Sequence, residues 1–279
     1  MLPRAVSFSG GGHLLVYHLG VILRLRAAGL GNADNIRCYA GSSGGAIAAC
    51  AAACISDIER FATEFALKGE SRKGLEAMLP AADTEIAHLT ADARLGISVT
   101  RCLTGENVLV REFRSKDALL RAVHASCLIP RSFHPLEFFS LTQTQPNVSR
   151  SRFQDNEGVA LAGLDGSYVD GGLSCNIPEV PDHRTLRVSV LACPKENLLI
   201  ANNHSSRIRL PGWIYMSGLR VLLSASNLRA GLAAIAGEPG ALRYYYERGQ
   251  RDCEIFLADK DEWIQPVQSA AAEADRKMR

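Results

Sequence analysis

Charge of one sign is scarce in this 279-residue sequence: 31 basic against 29 acidic side chains leave a formal net charge of +2. Binding a phosphate backbone needs clustered Lys and Arg, so no nucleic acid is expected as a partner. Aromatic residues make up only 6% of the chain, and no run reaches ~18 uninterrupted apolar residues, so no transmembrane segment is expected. There is no C-x-x-C pair. The cysteines at 38, 50, 54, 102, 127, 175, 193 and 253 stand singly in apolar runs, which predicts buried reduced thiols and no metal site. The first strand-like run, residues 4–9, starts close to the initiator Met and leaves no room for a cleavable leader. A cytoplasmic chain is expected, and the glycosylation sequons at Asn147 and Asn203 then carry little weight.

What the chain does have is an ordinary globular balance. With 47% hydrophobic and 22% charged residues over 279 positions, it can bury one large core in a single domain spanning 1–279. Val6, Ser7 and Phe8 lead into Ser9-Gly10-Gly11-Gly12, after which Leu15, Leu19, Ile22, Leu23 and Leu25 recur near helical spacing. Residues 36–40 make a second short strand, followed by Gly41-Ser42-Ser43-Gly44-Gly45 and an alanine-rich run, 46–55, suited to a closely packed helix. Two successive strand, turn and helix units argue for a parallel sheet covered by helices, because parallel strands need crossover connections.

Farther along, residues 97–103, 186–193 and 253–257 read as strands, and 117–125 as a helix ending before Ile129-Pro130. Residues 142–157 are polar with almost no aliphatics, which predicts a long mobile loop, and the basic stretch 68–73 reads as a solvated loop. Over 214–235 a helical pattern puts Ser217, Arg220, Ser224 and Asn227 on one stripe. Val221, Ala225, Leu228, Leu232 and Ile235 fall on another, so a helix packed on the core or lying on lipid is expected.

Gly41-Ser42-Ser43-Gly44-Gly45 matches G-x-S-x-G between a strand and a helix, the setting in which that motif makes a nucleophile elbow. A strained turn lifts the central Ser43 clear of the backbone, Gly41 and Gly45 avoid Cβ clashes, and the helix N-terminus offers positive potential to a developing anion. The bland alternative is a glycine-rich turn with no chemistry. Gly10, Gly11 and Gly12 allow successive N–H groups to face one oxygen, as an oxyanion hole requires. A dinucleotide or phosphate loop fits poorly there, since Leu15 takes the sixth position of the would-be G-x-G-x-x-G and no Lys-Ser/Thr follows. Tyr168-Val169-Asp170-Gly171-Gly172 sets a carboxylate before two glycines, a pattern that by itself is usually a turn.

Together these blocks resemble the patatin-like phospholipases. The resemblance is carried by Ser9-Gly10-Gly11-Gly12, Gly41-Ser42-Ser43-Gly44-Gly45, and Asp170-Gly171-Gly172 with Asn176-Ile177-Pro178. Ala125-Ser126-Cys127-Leu128-Ile129-Pro130, preceded by Phe113, Ser115 and Lys116, is similar to a block of the animal-type members. It covers residues 4–195. The resemblance implies an α/β fold, a three-layer α/β/α sandwich with a mainly parallel central sheet. It also implies a Ser-Asp dyad that works without histidine on carboxylic esters of phospholipids or acylglycerols. On that footing Ser43 is the nucleophile, Asp170 its base, and Gly10, Gly11 and Gly12 supply the oxyanion donors. No metal or other cofactor is implied, and the implied partner is lipid at a membrane or lipid-droplet surface, reached peripherally. Two positions depart from the pattern: Leu15 replaces the glycine that often closes the first loop, and His13 stands where plant-type members often carry Arg or Lys.

Three rival readings remain at this level. An acyltransferase would use the same dyad with an alcohol in place of water. A non-catalytic lipid- or protein-binding member would be expected to lose Ser43 or Asp170, and both are present. A Ser-His-Asp triad would draw on His183 or His204, which follow Asp170 in the order of α/β-hydrolases. An elbow as early as residue 43 leaves too few preceding strands for that sheet.

Overall fold

The computed structural model describes residues 2–31, 35–133, 153–203 and 209–260. Strand β1 (Ala5–Phe8), helix α1 (Leu15–Ala27), strand β2 (Cys38–Ser42) and helix α2 (Gly44–Cys54) realise the two expected strand, turn and helix units. The two strands are parallel, with Ala5 opposite Cys38 and Phe8 opposite Gly41. Every residue of both strands is buried, as a parallel sheet covered on two faces demands.

Helices α3 (Ile58–Glu64), α4 (Ser71–Met78) and α5 (Asp83–Ala91) lead to β3 (Leu95–Arg101), which lies parallel to β2. Strand β4 (Asn107–Val110) returns antiparallel along β3 and is followed by α6 (Lys116–Ser126), whose N-terminus is capped by Ser115 Oγ accepting the Ala118 N–H at 3.1 Å. Strands β5 (Val159–Ala160) and β6 (Ser167–Asp170) pair antiparallel with each other, and β6 pairs antiparallel with β3. The chain then crosses to the far side of β1, where β7 (Thr185–Ser189) and β8 (Leu199–Ala201) continue the sheet in parallel. The spatial order is β5-β6-β3-β2-β1-β7-β8 with β4 also on β3, giving the expected α/β architecture. Because the chain builds β2 and β3 on one side of β1 and later crosses to add β7 and β8 on the other, the carboxyl ends of β1, β2 and β7 border a crevice, the usual place for a ligand in such sheets.

The remainder of the chain departs from the sequence reading. Residues 214–235 are not one helix. Strands β9 (Arg209–Met216) and β10 (Leu219–Ser224) form an antiparallel hairpin, and only α7 (Ala225–Ala236) is helical. Ser217 and Gly218 both have positive φ, 43° and 87°, which makes the two-residue turn whose twist matches the flanking strands. Residues 253–257 are the last turns of α8 (Pro239–Ala258), not a strand. Pro239 marks the start of that helix, where its fixed φ suits the first turn and its missing N–H costs no hydrogen bond. Residues 71–73 open α4 instead of continuing a loop. Of the expected loop 142–157, residues 142–152 lie outside the described residues, and Asp155–Glu157 form a single 3-10 turn. Asn147 and His204 also lie outside the described residues.

Helix α8 packs along α1 at backbone distance. A Cβ on Gly20 would run into the Tyr246 carbonyl, and one on Gly249 into the Tyr17 carbonyl. The Tyr17 hydroxyl donates to Asp252 Oδ2 at 3.0 Å, so a buried carboxyl of α8 is tied to the helix that follows the glycine loop. Helix α7 instead leaves Leu228, Leu232 and Ile235 on one stripe, 69%, 63% and 83% exposed.

Candidate active site

Strand β2 ends at Ser42 and α2 begins at Gly44, so the whole turn is Ser43, with φ 52° and ψ −126°. A non-glycine residue held there carries strain of about 1–3 kcal/mol and persists only when its surroundings fix it. Here they do. The Ser43 N–H donates to Ser126 Oγ at 2.9 Å, the Ser126 hydroxyl donates to the Ser98 carbonyl at 2.6 Å, and the Ser43 carbonyl accepts the Ala46 N–H at 2.9 Å. A Cβ on Gly41 would strike the Gly45 carbonyl, and one on Gly45 the carbonyls of Phe8 and Ser9. The elbow therefore needs glycine on both sides for β1, β2 and α2 to meet. The neighbouring Ser42 is fully buried, and its hydroxyl donates to the Asn176 carbonyl at 2.6 Å.

Asp170 closes β6 opposite Val99. Its N–H donates to the Leu128 carbonyl at 2.9 Å and its carbonyl accepts the Thr100 hydroxyl at 2.7 Å. Oδ1 accepts the Gly172 N–H at 2.8 Å, and the Ser43 hydroxyl lies near enough to this carboxyl to favour its charged form. Burial dominates its titration, pushing it from the usual 3.8 up to about 6 against the pull of Ser43 and of the Gly172 N–H, which favour the charged form. Gly171 passes so close to the Ser98 carbonyl that no side chain fits, which brings the Asp170-Gly171-Gly172 turn against the strand that also anchors Ser126.

The glycine loop is less uniform than its sequence. The Gly10 N–H is taken by the Asn176 carbonyl at 3.0 Å, whereas no acceptor among the described residues takes the N–H of Gly11 or Gly12. Two of the three expected donors are thus available. Ser9 fixes the loop: its N–H donates to Val188, its hydroxyl accepts the Val190 N–H at 3.2 Å, and its carbonyl accepts from His18 Nε2 at 2.9 Å. Burial pushes His18 down to about 4, so its ring is neutral and donates a structural bond. Leu15, at the expected glycine position, is buried in the core. His13 lies against Gly69 and the αL C-cap Gly237 of α7.

The groups that act on the Asp170 carboxyl are Ser43 and Gly172, and no histidine of the described residues is among them. His183 sits in the turn before β7, where its N–H donates to Val180 and its carbonyl accepts from Thr185. Beside Leu128 a cleft of about 480 Å³ is lined by Leu128, Ile129, Pro130, Arg131, Glu157 and neighbouring polar residues. Among the described residues no three His, Cys, Asp or Glu side chains gather as a metal site, and all eight cysteines are free thiols. No helix of the described residues is long and apolar enough to cross a membrane.

Sequence reasoning does not find Ser98 or the parts played by Ser126 and Asn176. Ser126 and Asn176 stand inside recognised blocks, but only the folded backbone reveals which atoms they hold.

An elbow serine and a buried carboxyl at the carboxyl edge of a mainly parallel sheet define a class of α/β proteins with one site at its strand ends. Residues 6–72 match the family described as patatin-like phospholipase. The chain is 29% identical to patatin-like phospholipase domain-containing protein 2 of Rattus norvegicus over 92% of its own length and 52% of the relative's. It is 26% identical to patatin-like phospholipase domain-containing protein 4 of Homo sapiens, covering 93% of this chain and 98% of that one. A human 1-acylglycerol-3-phosphate O-acyltransferase is 29% identical over 88% of this chain and 51% of its own. The chain is thus similar to patatin-like phospholipases, by a family match over residues 6–72 and by relatives that bear that name, and it spans about half the length of several curated relatives it matches.

Proposed function

We propose that the chain is a serine lipid acyl hydrolase that cleaves carboxylic esters of phospholipids or acylglycerols through a Ser43–Asp170 dyad. The observation that carries this reading is the placing of Ser43, on its fixed turn, close enough to the buried Asp170 carboxyl to favour its charged form, beside the N–H groups of Gly11 and Gly12 that no described acceptor takes. In the first half-reaction Ser43 Oγ attacks the ester carbonyl carbon while its proton passes to Asp170. The Gly11 and Gly12 N–H groups stabilise the oxyanion, and the alcohol leaves with the proton from Asp170. Water then gives a proton to Asp170, attacks the acyl-serine carbonyl, and releases the fatty acid as Ser43 regains its hydrogen.

A second reading keeps the first half-reaction and lets an acceptor alcohol replace water. It is favoured by relatives named as an acyltransferase and an omega-hydroxyceramide transacylase. The lipid is met at a membrane or droplet surface, with the exposed stripe of α7 supporting this: its helix end packs over the glycine loop, where the Ala234 carbonyl meets Gly12.

The deciding experiment is fluorophosphonate labelling with peptide mass spectrometry, followed by product analysis on mixed phospholipid and acylglycerol vesicles. Adduct on Ser43, absent in Ser43→Ala, together with fatty-acid release is the expected result. Adduct on Ser42, or none on the wild type, removes the assignment.

A further inference from the structure

Asn176 holds the three blocks of the site together with its backbone alone. Its carbonyl accepts the Gly10 N–H at 3.0 Å and the Ser42 hydroxyl at 2.6 Å, while its N–H donates to the Ser217 carbonyl at 2.8 Å. The side chain takes no part in this. The residue is only 6% exposed, Oδ1 is buried without a hydrogen-bond partner, and no acceptor among the described residues takes Nδ2. A buried amide without protein partners is costly, so a fold that needed only the clamp would be served better by an apolar side chain of the same shape.

The amide has a definite neighbourhood. A methyl group built on Gly10 would lie 3.3 Å from Asn176 Nδ2 and 3.4 Å from Ser43 Cβ. One built on Gly172 would lie 3.1 Å from Asp170 Oδ1 and 3.8 Å from the same Nδ2. Nδ2 therefore borders the space between the nucleophile and its base, on the side of the glycine loop. Because the Gly10 N–H is consumed by the clamp, the loop itself offers only Gly11 and Gly12 as donors.

We propose that the Asn176 side-chain amide is a third donor to the acyl carbonyl oxygen, completing the oxyanion site with the Gly11 and Gly12 N–H groups. The assignment rests on the serine acyl-transfer reading above. The bond strengthens as the carbonyl oxygen gains charge, so its loss falls on kcat and leaves KM little changed.

The test compares full-length Asn176→Leu and Asn176→Asp with the wild type on ester-containing vesicles, together with thermal unfolding. Asn176→Leu keeps every clamp bond. It is expected to lower kcat by about 100- to 1,000-fold while the melting temperature holds or rises. Asn176→Asp loses the donor and adds a carboxyl near Asp170, so kcat falls and the acid limb of the pH profile moves to higher pH. An unchanged kcat in the Leu variant, or a kcat loss matched by a fall in melting temperature, overturns the proposal. If the Leu variant does not fold, the Asp variant decides by the same kcat and pH readouts, and wild-type behaviour there ends the idea. Wild-type turnover that Ser43→Ala abolishes tests the serine reading separately. With that turnover in hand, unaffected Asn176 variants overturn only the donor assignment, and a wild type without turnover overturns both.

Discussion

Asp170 is held in its protonated form more tightly when folded than when unfolded, because burial raises it from 3.8 to about 6. On the proposed dyad Asp170 must be ionised to accept the Ser43 proton, so kcat/KM is expected to fall as pH drops through about 6. A histidine base near ~6.5 would give almost the same limb, so the pH profile does not separate dyad from triad, and substitution must. The linkage has the opposite sign to that of a salt-bridged carboxylate. The contribution to stability, on the order of 3 kcal/mol, is full below the unfolded value and is lost as pH rises through about 6. Asp170→Asn is therefore expected to cut turnover by about 100- to 10,000-fold and yet raise the melting temperature at pH 8. His183→Ala should leave most activity. Ser126→Ala should leave the Ser43 N–H unpaired, costing about 1–3 kcal/mol by thermal or denaturant unfolding, with a lower kcat from a slackened elbow.

The elements that build the elbow are legible in the sequence because their signals are local: a β-forming run, a glycine turn and an alanine-rich helix, in order, twice. The hairpin escapes a sequence reading because residues 214–235 contain enough apolar positions to fit a helical stripe, while the stronger signal is the Ser217-Gly218 turn between Trp213-Ile214-Tyr215-Met216 and Leu219. Residues 253–257, read alone, look like a strand. Buried Leu242, Tyr245, Tyr246, Gly249, Cys253 and Leu257 keep helical spacing over the longer span of α8. Of the site, Ser43 and Asp170 are legible by motif, whereas the loss of Gly10 as a donor depends on a partner far along the chain, Asn176, that no local pattern predicts. Helix α7 carries its own test. Leu228→Ser, Leu232→Ser and Ile235→Ser together should weaken vesicle binding by on the order of 1,000-fold or more, since burying each large apolar side chain contributes about 1.5–3 kcal/mol. The rate on a monomeric short-chain ester should stay the same.

Across the whole molecule, α1 joins the two ends of the described chain: its Tyr17 and Gly20 face α8, and the adjoining His18 holds the Ser9 carbonyl of the glycine loop. Gly249→Ala would drive a methyl group into the Tyr17 backbone, and a loss of about 2 kcal/mol or more in one cooperative unfolding transition is expected. Differential scanning calorimetry would check both the shift and the single transition. The proposed nucleophile Ser43 and its proposed base Asp170, however, are delivered by strands made at very different times. A ribosome that has finished β2 and α2 has built the serine turn, but the carboxyl reaches it only after β6 is synthesised and docks antiparallel on β3. On the proposed dyad, a nascent chain, or a proteolytic fragment ending before β6, would carry a serine no more reactive than any other alcohol until then.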